Sequence, residues 1–197
     1  IYLIGDKNTR ECVVVDPAWD IDGILEVIES EEMKLKGSLV THYHPDHVGG
    51  SIFGMNITGL AELMVKSPSP VYVNKHEADG LKQVTGLSDS DLRLTDSEEK
   101  LTIGAIDITF MHTPGHTPGS QCFRVEDYLV AGDTLFLQGC GRVDLPGGDS
   151  EVMYDTLTRR LAKIHNEVVL YPGHNYGGKP SAPMGDVRET NSYLQIK

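Results

Sequence analysis

The chain has 197 residues, 39% of them hydrophobic and 23% charged, ordinary proportions for a globular chain long enough to bury a sizeable core. Its 17 basic and 29 acidic side chains leave a net charge of −12, which speaks against a nucleic-acid or anionic-membrane surface, because both need clustered Lys and Arg. No apolar run approaches the roughly 18 residues of a membrane-spanning helix, no secretory signal pattern opens the chain, and the three cysteines, Cys12, Cys122 and Cys140, have no framework spacing, so reduced thiols in the cytoplasm are expected.

IYLI (1–4) and CVVV (12–15) are short apolar runs split by GDKNT, which predicts a hairpin closed by Asp16-Pro17. IYLIG reads as starting inside a strand, with upstream residues missing. Ile21, Ile24, Leu25 and Ile28 recur at helical spacing and predict an amphipathic helix over about 20–33. GSLV (37–40) is the next strand and runs straight into THYHPDH (41–47), expected to be the loop leaving it. A helix is predicted over 57–66 from Leu60, Leu63 and Met64, ended by Pro68 and Pro70. VYV (71–73) is a strand, 75–84 a short helix, and the polar, acidic stretch 88–100 a surface connection. From 101 to 131 every segment reads as strand: LTI, IDITFM, QCFRV and YLVA. A helix over 151–164, capped by Asp149 or Ser150, buries Met153, Leu157, Leu161 and Ile164. VVLY (168–171) is the last strand, and 186–195 forms at most a short terminal helix. With no linker or low-complexity segment in sight, one α/β domain over 1–197 is expected.

Four of the strand-exit loops carry metal-ligand residue types. They hold His42, His44, Asp46 and His47 in THYHPDH, His116 in HTPGHTPGS (112–120), Asp133 in VAGDTLF (130–136) and His174 in LYPGHNY (170–176). Imidazole and carboxylate are poor core fillers, and one loop does not need four of them to turn. Five histidines and two aspartates exceed the four ligands of a closed zinc site. Seven donors with one bridging carboxylate suit two divalent metals with room for water, zinc first, with iron or manganese also matching the donor chemistry. Such cations would make the site locally positive despite the chain's net charge. His76 and His165 read as surface or satisfied histidines, and His112, at the end of IDITFM, as structural. Pro114, Gly115, Pro118 and Gly119 fix the backbone around His116.

The order H-x-H-x-D-H, then His, Asp and His, resembles the metallo-β-lactamase fold superfamily, and the resemblance runs from VVVDP (13–17) to GHNY (173–176). It implies a four-layer αβ/βα sandwich with the metals at one edge of two central sheets. By that resemblance His42, His44 and His116 hold the first metal, Asp46, His47 and His174 the second, and Asp133 bridges them. The segment GDTLFLQGCGRVDLPGGD (132–149) is similar, more narrowly, to the glyoxalase II and persulfide dioxygenase branch. There Arg142 and Tyr176 occupy positions that bind the glutathione part of a substrate. The sequence departs from glyoxalase II in Val143-Asp144, where aromatics are usual, and it ends 23 residues after His174, where that family continues into a helical domain. The resulting expectation is a binuclear metal-dependent hydrolase of a small, anionic thioester or ester, with Asp46 and Asp133 as catalytic residues that position the nucleophile. The alternative is a mononuclear iron persulfide dioxygenase using His42, His116 and Asp133, and lactonases or β-lactamases of the superfamily are further hydrolytic readings. Residues 54–70 are a second candidate wall for the substrate, one that the resemblance does not explain.

Overall fold

The computed structural model describes residues 1–195. In chain order the strands are β1 (Tyr2–Asp6), β2 (Glu11–Val15), β3 (Lys34–Leu39), β4 (Gly50–Ile52), β5 (Met55–Ile57), β6 (Val71–Asn74), β7 (Leu92–Thr95), β8 (Lys100–Ile103), β9 (Ile106–His112), β10 (Gln121–Val125), β11 (Tyr128–Gly132), β12 (Val169–Pro172) and β13 (Ala182–Pro183). The helices are α1 (Ile21–Ser30), α2 (Pro45–Val48), α3 (Leu60–Lys66), α4 (Ala78–Thr85), α5 (Ser150–Asp155) and α6 (Met184–Thr190). Residues divide into two compact units, Ile1–Thr95 with Lys100–Asp107, and Asp96–Glu99 with Ile108–Lys197.

The first unit is built on a sheet ordered β1-β2-β3-β6-β7. The predicted hairpin pairs β1 with β2 antiparallel, Ile4 opposite Val13, and β2, β3, β6 and β7 run parallel. Of the parallel strands, β2 and β6 are the mostly buried apolar runs, and helices cover them. Cys12 and Val14 pack with Ile21, Ile24 and Ile28 of α1, while Val40, Val71 and Val73 pack with Leu60 and Leu81. Asp20 caps α1 by accepting the Gly23 N–H at 2.9 Å. The helix stops at Ser30, short of the expected 33, because Glu32 turns the chain at φ 54°, a left-handed turn made without a glycine to signal it.

Two elements of this unit escape the apolar pattern. The stretch 88–100 is not only a surface connection, since it contains β7, which buries Leu92 and Thr95 but exposes Arg93 and Leu94 at the sheet's edge. The small hairpin of β4 and β5 pairs Gly50 with Ile57 and turns at Phe53-Gly54 through two positive φ angles, 50° and 82°. Its residues are mostly exposed, so no alternation marks it.

The second sheet has the order β13-β12-β11-β10-β9-β8. Strands β9, β10 and β11 are antiparallel neighbours, and β11 runs parallel to β12. In the second unit Cys122, Leu129, Ala131 and Leu170 pack against Met153, Leu157, Leu161 and Ile164, the face expected for the 151–164 helix. That segment is not one regular helix. After α5 it widens into a π turn, the Leu161 N–H reaching the Thr156 carbonyl, and ends in a 3-10 turn over Leu161–Lys163. The widening lets the Thr156 hydroxyl donate to the Pro114 carbonyl at 2.6 Å, tying the helix to the His116 loop. Asp149, not Ser150, is the cap. The terminal segment has more structure than expected: β13 pairs with β12, and α6 buries Met184 and Val187. All three cysteines are free thiols, and no helix among the described residues is long and apolar enough to cross a membrane.

Candidate metal centre

In a parallel sheet the C-terminal strand ends share one edge, the usual place for a site. In the first unit β2 leads directly into Asp16, and β3 leads through Val40 into Thr41, with Val15 and Leu39 in register. His42, His44, Asp46 and His47 follow. What reads as a loop contains one helical turn, α2, because Pro45 at the first helical position supplies the right φ and the N–H groups of His47 and Val48 reach the His44 carbonyl. The turn gathers the side chains: the His42 ring lies 4.7 Å from that of His44 and 4.1 Å from that of His47, and His47 Nε2 is 3.7 Å from Asp46 Oδ2.

Behind them is a buried carboxylate that the sequence reading used only as a strand end and a family landmark. Asp16 accepts the Thr41 N–H at 2.8 Å and the Thr41 hydroxyl at 2.6 Å. Having donated its proton, the Thr41 oxygen accepts from His42 Nδ1 at 3.0 Å, and Asp16 Oδ2 takes His47 Nδ1 at 2.9 Å. One carboxylate thus sets the tautomer of two imidazoles, and a cation would be held through Nε2 of each. Glu77, fully buried on the approach to α4, accepts the Tyr43 N–H at 2.8 Å and pins the peptide between His42 and His44. Burial, and then the Glu77 charge, push the Tyr43 phenol above its ordinary pKa. The signal for Asp16 was its place at the end of CVVV beside Pro17; nothing in KHEAD marked Glu77.

In the second unit the remaining three candidates come from three loops. β9 and β11 point the same way and β12 lies beside β11, with Gly132 opposite Pro172, so the chain exits carrying His116, Asp133 and His174 share an edge. His116 Nε2 lies 3.8 Å and His174 Nε2 3.4 Å from the same oxygen, Asp133 Oδ2. His116 Nδ1 donates to the Arg142 carbonyl at 2.7 Å. Two glycines leave room for this convergence. A Cβ on Gly141 would stand 2.0 Å from the Asp133 carbonyl and 2.9 Å from the His116 ring, and one on Gly173 would stand 2.4 Å from Asp133 Oδ1. The GCGR loop that supplies Gly141 and Arg142 is anchored by buried Asn191, whose amide donates to the Phe136 and Gly139 carbonyls at 3.1 and 2.9 Å.

These donors fit divalent metal. Ligand atoms about 2.0–2.2 Å from one tetrahedral ion stand roughly 3.4 Å apart; the separation between His47 Nε2 and Asp46 Oδ2 in the first unit is 3.7 Å, and those from Asp133 Oδ2 to His174 and His116 in the second are 3.4 and 3.8 Å. Nδ1 of His42, His47 and His116 is already engaged by oxygen, the outer support that metal-bound imidazoles have.

The expected substrate residues differ from one another. Arg142 is exposed and forms a two-pronged pair with Asp144, at 2.9 and 2.8 Å. The hydrogen bonds from Arg142 hold the Asp144 carboxyl down at about 2 and raise the guanidinium in turn. Tyr176 stacks on the His174 ring, centroids 5.2 Å apart and planes 20° apart, and the residue is 70% exposed. His112 has the structural place expected of it, its Nε2 against the Pro118 carbonyl at 2.9 Å. His76 and His165 are exposed.

Histidines and aspartates gathered at strand ends within each of two mixed α/β units are the mark of a class, and residues 1–174 match the family model of the metallo-beta-lactamase superfamily. The chain belongs to that superfamily, has its α/β fold, and is a hydrolase of that class. It is similar to the probable polyketide biosynthesis zinc-dependent hydrolase BaeB of Bacillus velezensis, 32% identical over 197 residues, which are all of this chain and 81% of the relative. It is 33% identical over 178 residues to the hydroxyacylglutathione hydrolase of Klebsiella pneumoniae, covering 89% of this chain but only 61% of that protein. The crystal structure of ETHE1 from Myxococcus xanthus superposes with a TM-score of 0.82 at 27% identity, over all of this chain and 80% of that one. The glyoxalase II and ETHE1 resemblance therefore stands; the polyketide hydrolases are relatives that the sequence reading did not raise.

Proposed function

We propose that His42, His44, His116, Asp46, His47, His174 and the shared Asp133 serve one binuclear zinc centre, and that the chain hydrolyses a small thioester or ester there. The observation that carries this reading is the convergence of His116 and His174 on one Asp133 oxygen, at 3.8 and 3.4 Å, with His47 and Asp46 disposed alike at 3.7 Å. A carboxylate within reach of two imidazoles from different loops would let Asp133 serve two cations at once. When bound, the metals would supply a hydroxide at neutral pH and charge stabilisation for the oxyanion. The chain's part is to hold the geometry. Asp16 and the Arg142 carbonyl orient imidazoles, Asp133 and Asp46 fix the place of attack, and Tyr176 and Arg142 meet the substrate's polar end. The relatives named as hydrolases, of a polyketide pathway and of hydroxyacylglutathione, support a small acyl substrate. The superfamily match runs through both units, so 1–197 is read as one such domain.

The test pairs elemental analysis with two assays, thioester cleavage and persulfide-dependent O₂ uptake. The wild type should hold about two metal ions per chain. Asp46→Ala should bring that to about one and abolish thioester cleavage. A wild type holding one iron, an Asp46→Ala variant that keeps it, and O₂ uptake with a persulfide would replace the hydrolase reading with the dioxygenase.

A further inference from the structure

Trp19 is the chain's one tryptophan, and 59% of it is exposed. Its exposure is not looseness. The backbone sits at φ 69°, a left-handed conformation that bulky residues rarely adopt. Three hydrogen bonds hold it there. The Trp19 N–H donates to the Thr58 carbonyl at 2.8 Å, the Thr58 hydroxyl donates back to the Trp19 carbonyl at 2.5 Å, and the indole Nε1–H donates to the Asp46 carbonyl at 2.9 Å. Asp46 is the candidate ligand between Pro45 and His47. The ring is thus fixed by its polar edge to the ligand turn, and its apolar surface remains in solvent.

A large aromatic group held still beside a reaction site is the form specificity takes in small-molecule pockets. Its binding area carries no ordering cost, because the ring is already immobile. The charges around it decide which part of a substrate it meets. Asp20 and Asp22 follow it in sequence, and Lys66, which pairs with Asp22, is spent there. An anionic group is unwelcome there, and the acyl side of the substrate is the part that can be free of charge. Thr58 and strand β5 before it fall in the 54–70 stretch that the family pattern leaves unexplained.

Resting on the thioester hydrolase reading, we infer that Trp19 is a specificity-determining residue, the platform for an extended or aromatic apolar acyl group. Acetyl, octanoyl and benzoyl thioesters of one thiol should be compared in wild type, Trp19→Phe and Trp19→Ala, with bound zinc measured in each. In Trp19→Ala the octanoyl-to-acetyl and benzoyl-to-acetyl ratios of kcat/KM should fall roughly 3- to 10-fold, the scale of an aromatic contact. Trp19→Phe, which keeps a ring and loses the indole N–H, should retain most of the preference. A strut for the Asp46 turn would behave otherwise: both variants would lose activity alike on every acyl group, the ratios would not move, and the inference would be overturned. A second readout needs no turnover. With a single tryptophan, fluorescence reports Trp19 alone, so octanoate should shift its emission to the blue and saturate at lower concentration than acetate. Emission indifferent to octanoate while octanoyl thioester is cleaved sinks the platform. An octanoate shift in a protein that cleaves no thioester sinks the hydrolase reading and leaves the platform standing.

Discussion

The two ligand-bearing regions reach similar donor geometry by opposite means. In the first, four candidate ligands lie within one six-residue stretch, and side chains brace it: Asp16 through Thr41 and His47, Glu77 through Tyr43. In the second, three candidate ligands come from three loops, two histidines meeting at the Asp133 carboxylate; side chains such as Asn191 and Thr156 anchor the loops, but the His116 ring is held by backbone, the Arg142 carbonyl, and Gly141 and Gly173 leave space around Asp133. A single stretch has its spacing set by covalent geometry and needs only its rings oriented. Ligands from separate loops need the loops themselves to approach closely, which side chains would obstruct. The first region should therefore fail by deletion of a side chain, and the second by addition of one.

The largest effect is expected where the comparison has no spare part. Asp133→Ala removes the group shared by His116 and His174, so both metals and all activity should be lost, while the exposed neighbour variant Asn175→Ala keeps its metal. Full metal occupancy in Asp133→Ala, measured by elemental analysis, would disprove the shared role.

Next come the two braces. Asp16→Ala leaves buried donors of Thr41 and His47 unanswered. Zinc affinity should weaken by about 10- to 100-fold, as for outer supports of metal imidazoles, and folding stability should drop by about 1–3 kcal/mol for each orphaned group. Gly173→Ala should weaken zinc by a similar factor for the opposite reason, because its Cβ would have to share space with Asp133 Oδ1. Competition with a zinc chelator and thermal unfolding of the apoprotein separate the two. Asp16→Ala should lose stability without metal present, and a Gly173→Ala protein with unaltered zinc affinity would show that close packing there is incidental.

This contrast also explains what was legible in the sequence. The ligand stretch is dense in residue types that a core rejects, so its chemistry shows in the letters. Several sheet strands show equally well, because β2, β6 and β11 are buried as apolar runs. The braces are harder to see. A buried Asp16 or Glu77 looks like any acidic residue until its partners, distant in sequence, are brought beside it. The edge strand β7 and the hairpin of β4 and β5 bury too little to carry a period. The π turn after α5 goes with a tertiary contact, Thr156 on the Pro114 carbonyl, that is distant in sequence and not encoded by local propensity.

The smallest expected effects concern Arg142, whose main chain braces His116 while its side chain is assigned to the substrate. The guanidinium is exposed and already held by Asp144, so an anionic substrate must displace a carboxylate to reach it. Arg142→Ala keeps the carbonyl that holds His116, so metal content should stay at the wild-type level. Its KM should rise roughly 10-fold, the lower end of what a charge-assisted hydrogen bond contributes. Asp144→Asn should move KM the other way, by about 2- to 5-fold, the scale of an exposed ion pair. Acidification cannot substitute for this variant. The Asp144 carboxyl is held down at about 2, so the pair persists above that value and is lost only as pH falls through it, far below a useful assay. In the Arg142→Ala, Asp144→Asn double variant the benefit of Asp144→Asn should vanish, because no guanidinium remains to be released. Additive effects of the two changes, or a KM indifferent to both, would return Arg142 to the surface and leave its backbone as its contribution to the site.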